Sequence, residues 1–256
     1  MRVGKLGALY AVMINELRII SREPGGLALL VILPYFIAGG TAFIASFFTR
    51  VTVGTFTRQF LGFEVLMLSL IMVQVGARFL WEERNGGRLE FLLISPVGMY
   101  VILFGTSLTM VLVNVGAFTV ASLPVLYLNY GFVGMVKLAL ALLLLFIGLF
   151  PLYGIGLIIA GLIMRFNDAN AVMNIIAPIL TILSGSTYPV YVLPWWVRDL
   201  VYILPMYQTF YSMYMEITGK AYIHLVINLI LSAVIYLLLG GTIYANLEKD
   251  FRKKGV

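Results

Sequence analysis

Long apolar runs separated by short polar breaks set the layout of this 256-residue chain. They lie at about 27–48, 60–79, 100–128, 138–164, 171–185 and 222–245, and they are continuous rather than alternating. That pattern predicts helices, and roughly 20 predominantly apolar residues are what a helix needs to cross hydrocarbon. In lipid a helix satisfies its backbone hydrogen bonds within one segment, whereas strands must close into a barrel. The expectation is an all-α integral membrane protein with six transmembrane helices, the fifth shorter than its neighbours.

Three stretches do not read as spans. Over residues 1–23, Leu6, Tyr10, Met13, Leu17 and Ile20 recur at three- and four-residue spacing, while Lys5, Glu16, Arg18 and Arg22 fall mostly elsewhere. An amphipathic helix lying in the membrane interface is predicted there. Glu16 and Arg18 interrupt any apolar core, so a signal peptide is not expected. Pro24-Gly25-Gly26 should break the helix and turn the chain into the bilayer.

The second stretch is a charged island, RFLWEERNGGRLEFLLISPVG, at 78–98. Glu83 and Arg88 are close enough to pair across helical turns, and Leu89, Leu92 and Leu93 gather on a neighbouring face. Ser95-Pro96 should end any helix, because proline lacks the backbone donor and restricts the residue before it. Such a helix cannot sit in hydrocarbon, so it belongs at the surface, where its charges suit a soluble partner.

The third stretch, at 187–220, is apolar and aromatic, yet Pro189, Pro194 and Pro205 divide it into pieces too short to cross. Two short re-entrant helices from the outer surface are predicted, since broken helices at membrane depth survive only against protein or water. Tyr188, Trp195 and Trp196 among its rings suit anchoring at headgroup level.

Composition narrows the class. The chain is 62% hydrophobic and 11% charged, against about 25% charged for soluble domains, and its mean hydropathy is +1.03. It has no cysteine, and its one histidine, His224, leaves no histidine-rich metal centre. The net charge of +6 matters less than its distribution. Six spans with the N-terminus inside put Arg2, Lys5, Arg18, Arg22, Arg78, Arg84, Arg88, Arg165, Lys249, Arg252, Lys253 and Lys254 on the inner side. Only Arg50, Arg58, Lys137, Arg198 and Lys220 are left outside. This positive-inside bias predicts cytoplasmic termini and a cytoplasmic island in a cell membrane, with the basic tail against anionic lipid and no nucleic-acid partner. Within the spans, Glu64 is the acid expected near a pathway, with Arg58 as a candidate ion-pair partner. Asn114, Asn174 and Asn228 are candidates for hydrogen bonds between helices, the first two also for the pathway.

The order of these parts resembles the membrane subunits of type-2 ABC (ATP-binding-cassette) transporters, mostly exporters. The island is similar to that family's coupling-helix pattern in Glu82-Glu83-Arg84, Gly86-Gly87, Leu89-Glu90-Phe91-Leu92-Leu93 and Ser95-Pro96. The late segment is similar to its second signature in Ser184-Gly185, Tyr188-Pro189, Leu193-Pro194, Trp196 and Leu204-Pro205. The resemblance spans nearly the whole chain and implies one permease domain over 1–256. Within it, 1–25 would be the interfacial helix, 81–97 a cytoplasmic coupling loop, and 186–220 an extracellular re-entrant segment. It implies that Glu82, Glu83, Arg84, Gly87, Leu89, Leu92, Ser95 and Pro96 meet an ATPase subunit. It also implies that Tyr188, Pro189, Pro194, Trp195, Trp196 and Pro205 form an outer gate. A second permease copy, in a homodimer, is expected beside it.

No GxxxxGK[ST] occurs in the chain, so ATP and Mg2+ are expected on the partner and no cofactor or metal on this one. The cargo class is lipid-like, drug-like or a lipid-linked glycan. Two rival classes fit less well. An ion-coupled secondary transporter calls for midplane acid pairs and an internal repeat, and neither is visible. A membrane-embedded lipid-modifying enzyme calls for clustered acids or histidines, whereas Asp168, Asp199 and Asp250 are scattered.

Overall fold

The computed structural model of the chain describes residues 5–48, 50, 52–95, 97–165, 169–220 and 223–253. Among these there is no strand. The helices run α1 (Lys5–Ser21), α2 (Pro24–Ser46), α3 (Val53–Asn85), α4 (Leu89–Ile94), α5 (Met99–Arg165), α6 (Ala169–Leu183), α7 (Trp195–Ile203), α8 (Pro205–Thr218) and α9 (Ile223–Lys253), with a 3-10 turn at Val190–Val192 before α7. Four of them, α2, α3, α5 and α9, are long and apolar enough to cross a membrane. This is an all-α integral membrane protein.

The 67-residue α5 is folded back on itself. Gly131 has φ 63 and ψ −153, a conformation that glycine adopts readily and other residues rarely do. The rings of Phe104 and Tyr153 are 6.2 Å apart, whereas a straight helix would separate them by about 73 Å. Its two arms, 99–130 and 132–165, therefore lie side by side in opposite directions, matching the third and fourth predicted runs. The polar turn expected at 129–137 is helical apart from Gly131. One residue reverses the chain where nine were allotted.

Two other expectations change. The second span was placed at 60–79, but α3 runs for 33 residues, about 50 Å at 1.5 Å per residue and well over a bilayer's roughly 30 Å core. Its start is fixed by a reciprocal cap, in which the Thr55 amide donates to Thr52 Oγ1 and the Thr52 amide to Thr55 Oγ1. Its far end takes in Glu82, Glu83 and Arg84. In α1, Leu6, Tyr10 and Leu17 point away from the protein, while Ala8 is buried and Leu9 and Val12 pack on Gly105 of α5. Both faces of α1 are thus apolar in part, as suits a helix held between lipid and bundle.

The core lies where α3, both arms of α5, α8 and α9 meet. A Cβ on Gly240 of α9 would stand 2.1 Å from the Gly154 carbonyl oxygen of α5, so the two backbones touch directly. Close approach through small residues is how helices associate in lipid, where apolar burial offers little net drive. The Tyr35 hydroxyl of α2 donates to the Ala121 carbonyl, tying the more exposed α2 to this core. At 15 residues, α6 is about 22 Å long and falls short of a full crossing by itself.

The bundle has two chemically distinct ends. At one, α1, the end of α3, α4, the start of α5 and the later part of α9 gather, with Tyr100 against Tyr244 at 5.0 Å and donating to the Gly241 carbonyl at 3.3 Å. At the other, Asn129 donates to Thr57 at 2.8 Å and Lys137 to the Ile217 carbonyl at 3.3 Å, beside α8.

Candidate functional site

The charged island forms a compact cap on α3. The Gly86 amide donates to the Glu82 carbonyl at 2.9 Å, Gly87 to Arg84 at 3.0 Å and Arg88 to Glu83 at 2.8 Å. The last two bonds, with Gly87 at φ 66, make a Schellman motif. A Cβ at Gly87 would meet nothing within 4 Å, so it is the left-handed backbone, not crowding, that calls for glycine. The Arg88 guanidinium reaches back with Nε 2.9 Å from Glu83 Oε2 and Nη2 3.1 Å from Glu83 Oε1. The pair expected within one helix thus forms across the break between α3 and α4.

From that turn the six-residue α4 leaves with a defined orientation. Leu89 is 4% exposed and Leu92 packs on the core, whereas Phe91 is 70% and Ile94 81% exposed. The apolar face offered outward is therefore Phe91 and Ile94, beside the exposed Glu90, rather than Leu89 and Leu92. Leu89 and Leu92 were expected on the partner's side; they are spent on holding α4 to its own bundle. Ser95 ends the helix, its Oγ accepting from the Val97 amide at 3.2 Å. Pro96 and the Leu93 side chain lie outside the described residues.

At the opposite end the prolines start helices as much as they break them. Pro194 caps α7, Pro205 is the first residue of α8 and Pro189 precedes the 3-10 turn. Proline suits these places, since its missing N–H would have no helical acceptor there. Trp195 and Trp196 are exposed on α7, while Pro205 is buried. The Tyr188 hydroxyl donates to the Ile182 carbonyl, which closes the loop after α6. A cavity of about 310 Å3 opens here, lined by Pro189, Tyr191, Tyr202, Tyr207, Phe210 and Tyr214 among others, and by Arg58.

Arg58 is the residue that sequence reasoning assigned elsewhere. Its guanidinium donates to the Tyr188 carbonyl at 3.4 Å and lies 5.9 Å from the Phe210 ring centroid. It does not serve Glu64, whose Oε1 is buried without a hydrogen-bond partner. The aromatic richness of 202–214 was the available signal, because a cation so near the surface finds ring faces readily.

The three proposed pathway residues do not share an environment. Glu64 and Asn114 are buried, whereas Asn174 is exposed on α6, as is Asn228 on α9. Asn114 donates to its own helix, to the Met110 carbonyl at 2.7 Å, rather than across to another. A polar amide with a backbone acceptor one turn away satisfies itself locally first.

An all-helical membrane bundle with a rigidly capped surface helix at one end and a proline-broken segment at the other defines the class: a multi-pass membrane protein with no soluble domain among its described residues. Residues 8–217 match the ABC-2 type transporter family, and the chain belongs to it. It is a permease subunit of an ABC transporter, a transport component and not itself an enzyme. Among curated proteins none matches this chain.

Proposed function

We propose that the chain forms half of the translocation pathway of an ATP-driven exporter and takes its energy from a separate ATPase subunit docked on α4. The observation that supports this is the cap at 83–88, which fixes a six-residue helix at the end of a 33-residue one with Glu90, Phe91 and Ile94 facing outward. A helix so held passes a partner's displacement into α3 and α5 instead of absorbing it. ATP and Mg2+ belong on that partner. A second copy of the chain completes the pathway, with α2 and α9, the most exposed of the long helices, available to it. The end carrying α1, α4 and the end of α9 faces the cytoplasm, by the excess of lysine and arginine there, and the broken segment at 186–220 forms the outer gate. The cargo is lipid-like, drug-like or a lipid-linked glycan.

The test is co-purification. The isolated chain should hydrolyse no ATP, and with its cognate ATPase it should migrate as a four-subunit assembly. A cysteine at Asn85 should label only from the cytoplasmic side, and one at Lys220 only from outside. A chain that hydrolyses ATP unaided, or a residue 85 labelled from outside intact cells, would overturn this reading.

A further inference from the structure

Between α1, the second half of α3 and the start of α5 lies a cavity of about 430 Å3, within the range typical of small-molecule sites, about 300–1,000 Å3. Its wall follows α3 from Ile71 to Glu83, a rise of about 18 Å. The lining changes along that length. At the surface end stand four carboxylates, Glu16, Glu23, Glu82 and Glu83, with the exposed Arg78 and Arg88. Further in, the wall turns to Gln74, Val75, Ile71, Thr106 and Met110.

Two features point to a missing occupant. First, both guanidinium groups are already committed, Arg78 to Glu82 at 2.8 Å and Arg88 to Glu83 at 2.9 Å. Neither Glu16 nor Glu23 forms an ion pair among the described residues, so the wall carries a surplus of negative charge. Burial, and then the Glu82 carboxylate, raise the pKa of Glu16, as befits an acid short of a counter-charge. Second, Thr106 is 3% exposed and its Oγ1 has no hydrogen-bond partner. A helical threonine usually returns its proton to the carbonyl one turn back, as Thr109 does to Gly105 at 2.9 Å. Thr106, which lines the inner end of the cavity, makes no such bond.

We infer that this cavity binds an organic cation: a protonated amine between Glu16 and Glu23, a hydrogen-bonding group opposite Thr106, and an apolar body along Ile71, Val75 and Met110. An anion would meet only neutralised arginines. A divalent metal suits the site poorly, since no group of three acids or histidines among the described residues stands close enough to hold one. The binding site stands apart from the exporter reading. Its role as the place where a cationic amphiphile is loaded from the cytoplasmic side rests on that reading.

Propranolol is a suitable probe, because it joins a secondary ammonium, a neighbouring hydroxyl and a naphthyl ring, and its fluorescence reports binding to the purified chain in detergent. Naphthoxyacetate keeps the ring and reverses the charge. Wild-type protein should bind the first and not the second. E16Q combined with E23Q should weaken propranolol about tenfold, the loss of a charge-assisted contact. Thr106→Val, which keeps the shape and removes the hydroxyl, should weaken it about threefold. Arg78→Gln frees Glu82 on an exposed side chain and should tighten binding about threefold, a gain that misfolding cannot mimic.

Equal affinity in wild type and the double variant, or naphthoxyacetate binding as well as propranolol, would overturn the site. So would the absence of binding to well-folded wild type. The assay contains no ATPase, so its failure leaves the four-subunit assembly standing, and failure of that assembly leaves the binding result standing.

Discussion

Arg88 and Glu83 clasp each other through two hydrogen bonds, 2.9 and 3.1 Å, across the turn that ends α3 and begins α4. Their backbones are joined at the same place by the Arg88 amide on the Glu83 carbonyl. In most Schellman motifs an apolar contact spans these positions; here an ion pair does so. The direction in which α4 leaves α3 is therefore set by the left-handed glycine and the clasp together.

Gly87→Ala should cost roughly 1–2 kcal/mol, because an L-residue is strained at positive φ. Gly87→Asn should cost less, since asparagine tolerates that region. Both variants should still reach the membrane, and Gly87→Ala should lower ATPase association as well as melting temperature. Arg88 is largely exposed, so Arg88→Gln should lower the melting temperature only slightly. Equal melting temperatures for wild type and Gly87→Ala would show that the cap does not hold α4.

The orientation of α4 separates two kinds of apolar substitution. Phe91→Asp and Ile94→Asp should leave membrane abundance unchanged and weaken ATPase co-purification, since exposed rings and branched chains are what a docking cleft takes up. Leu89→Asp should instead reduce abundance, because it buries an unpaired carboxylate. Abundance and co-purification measured side by side decide the matter. Normal association in both exposed-face variants would remove α4 from the interface.

A neighbouring pair of glycines on α9 provides an internal control. Gly240→Ala would push a methyl against the Gly154 backbone, whereas a Cβ at Gly241 meets nothing within 4 Å. Gly240→Ala should therefore destabilise by about 1–3 kcal/mol through overpacking. Gly241→Ala should be neutral or slightly stabilising, through the loss of unfolded-state entropy. Melting temperatures in detergent are the measurement, with Gly240→Ala expected below wild type and Gly241→Ala at or above it.

Stability should depend on pH through Glu16. Its pKa is raised from 4.5 by burial and by the Glu82 carboxylate, so the folded state keeps the proton to higher pH than the unfolded chain does. The stability this contributes is complete below the unfolded pKa and is lost as pH rises through the raised value. Glu16→Gln removes the titration while leaving Glu23, Glu83, Arg78 and Arg88 around it. Its melting temperature should match or exceed that of wild type at neutral pH and lose that lead at acid pH. A variant less stable than wild type at neutral pH would contradict the assignment.

The residues by themselves determined the membrane class, the positions of the apolar helices, the breaks at Pro24, Pro194 and Pro205, and the separation of basic from aromatic ends. These follow from local rules that act within a turn or two: a helix must satisfy its own backbone in lipid, and proline starts segments rather than continuing them. Gly87 stood out only as part of the island's glycine pair; that its place calls for a left-handed backbone, with open space around it, was set by the fold. The tertiary structure alone decided which side of α4 faces outward, where Arg58 finds its partner, and that Glu16 and Thr106 line one cavity. In a membrane bundle the lipid-facing and protein-facing sides are both apolar, so periodicity that separates core from water in a soluble helix loses its meaning. Leu89 and Phe91 look alike as sequence; only the packing of α3 and α5, brought together by the reversal at Gly131, turns one inward and leaves the other out.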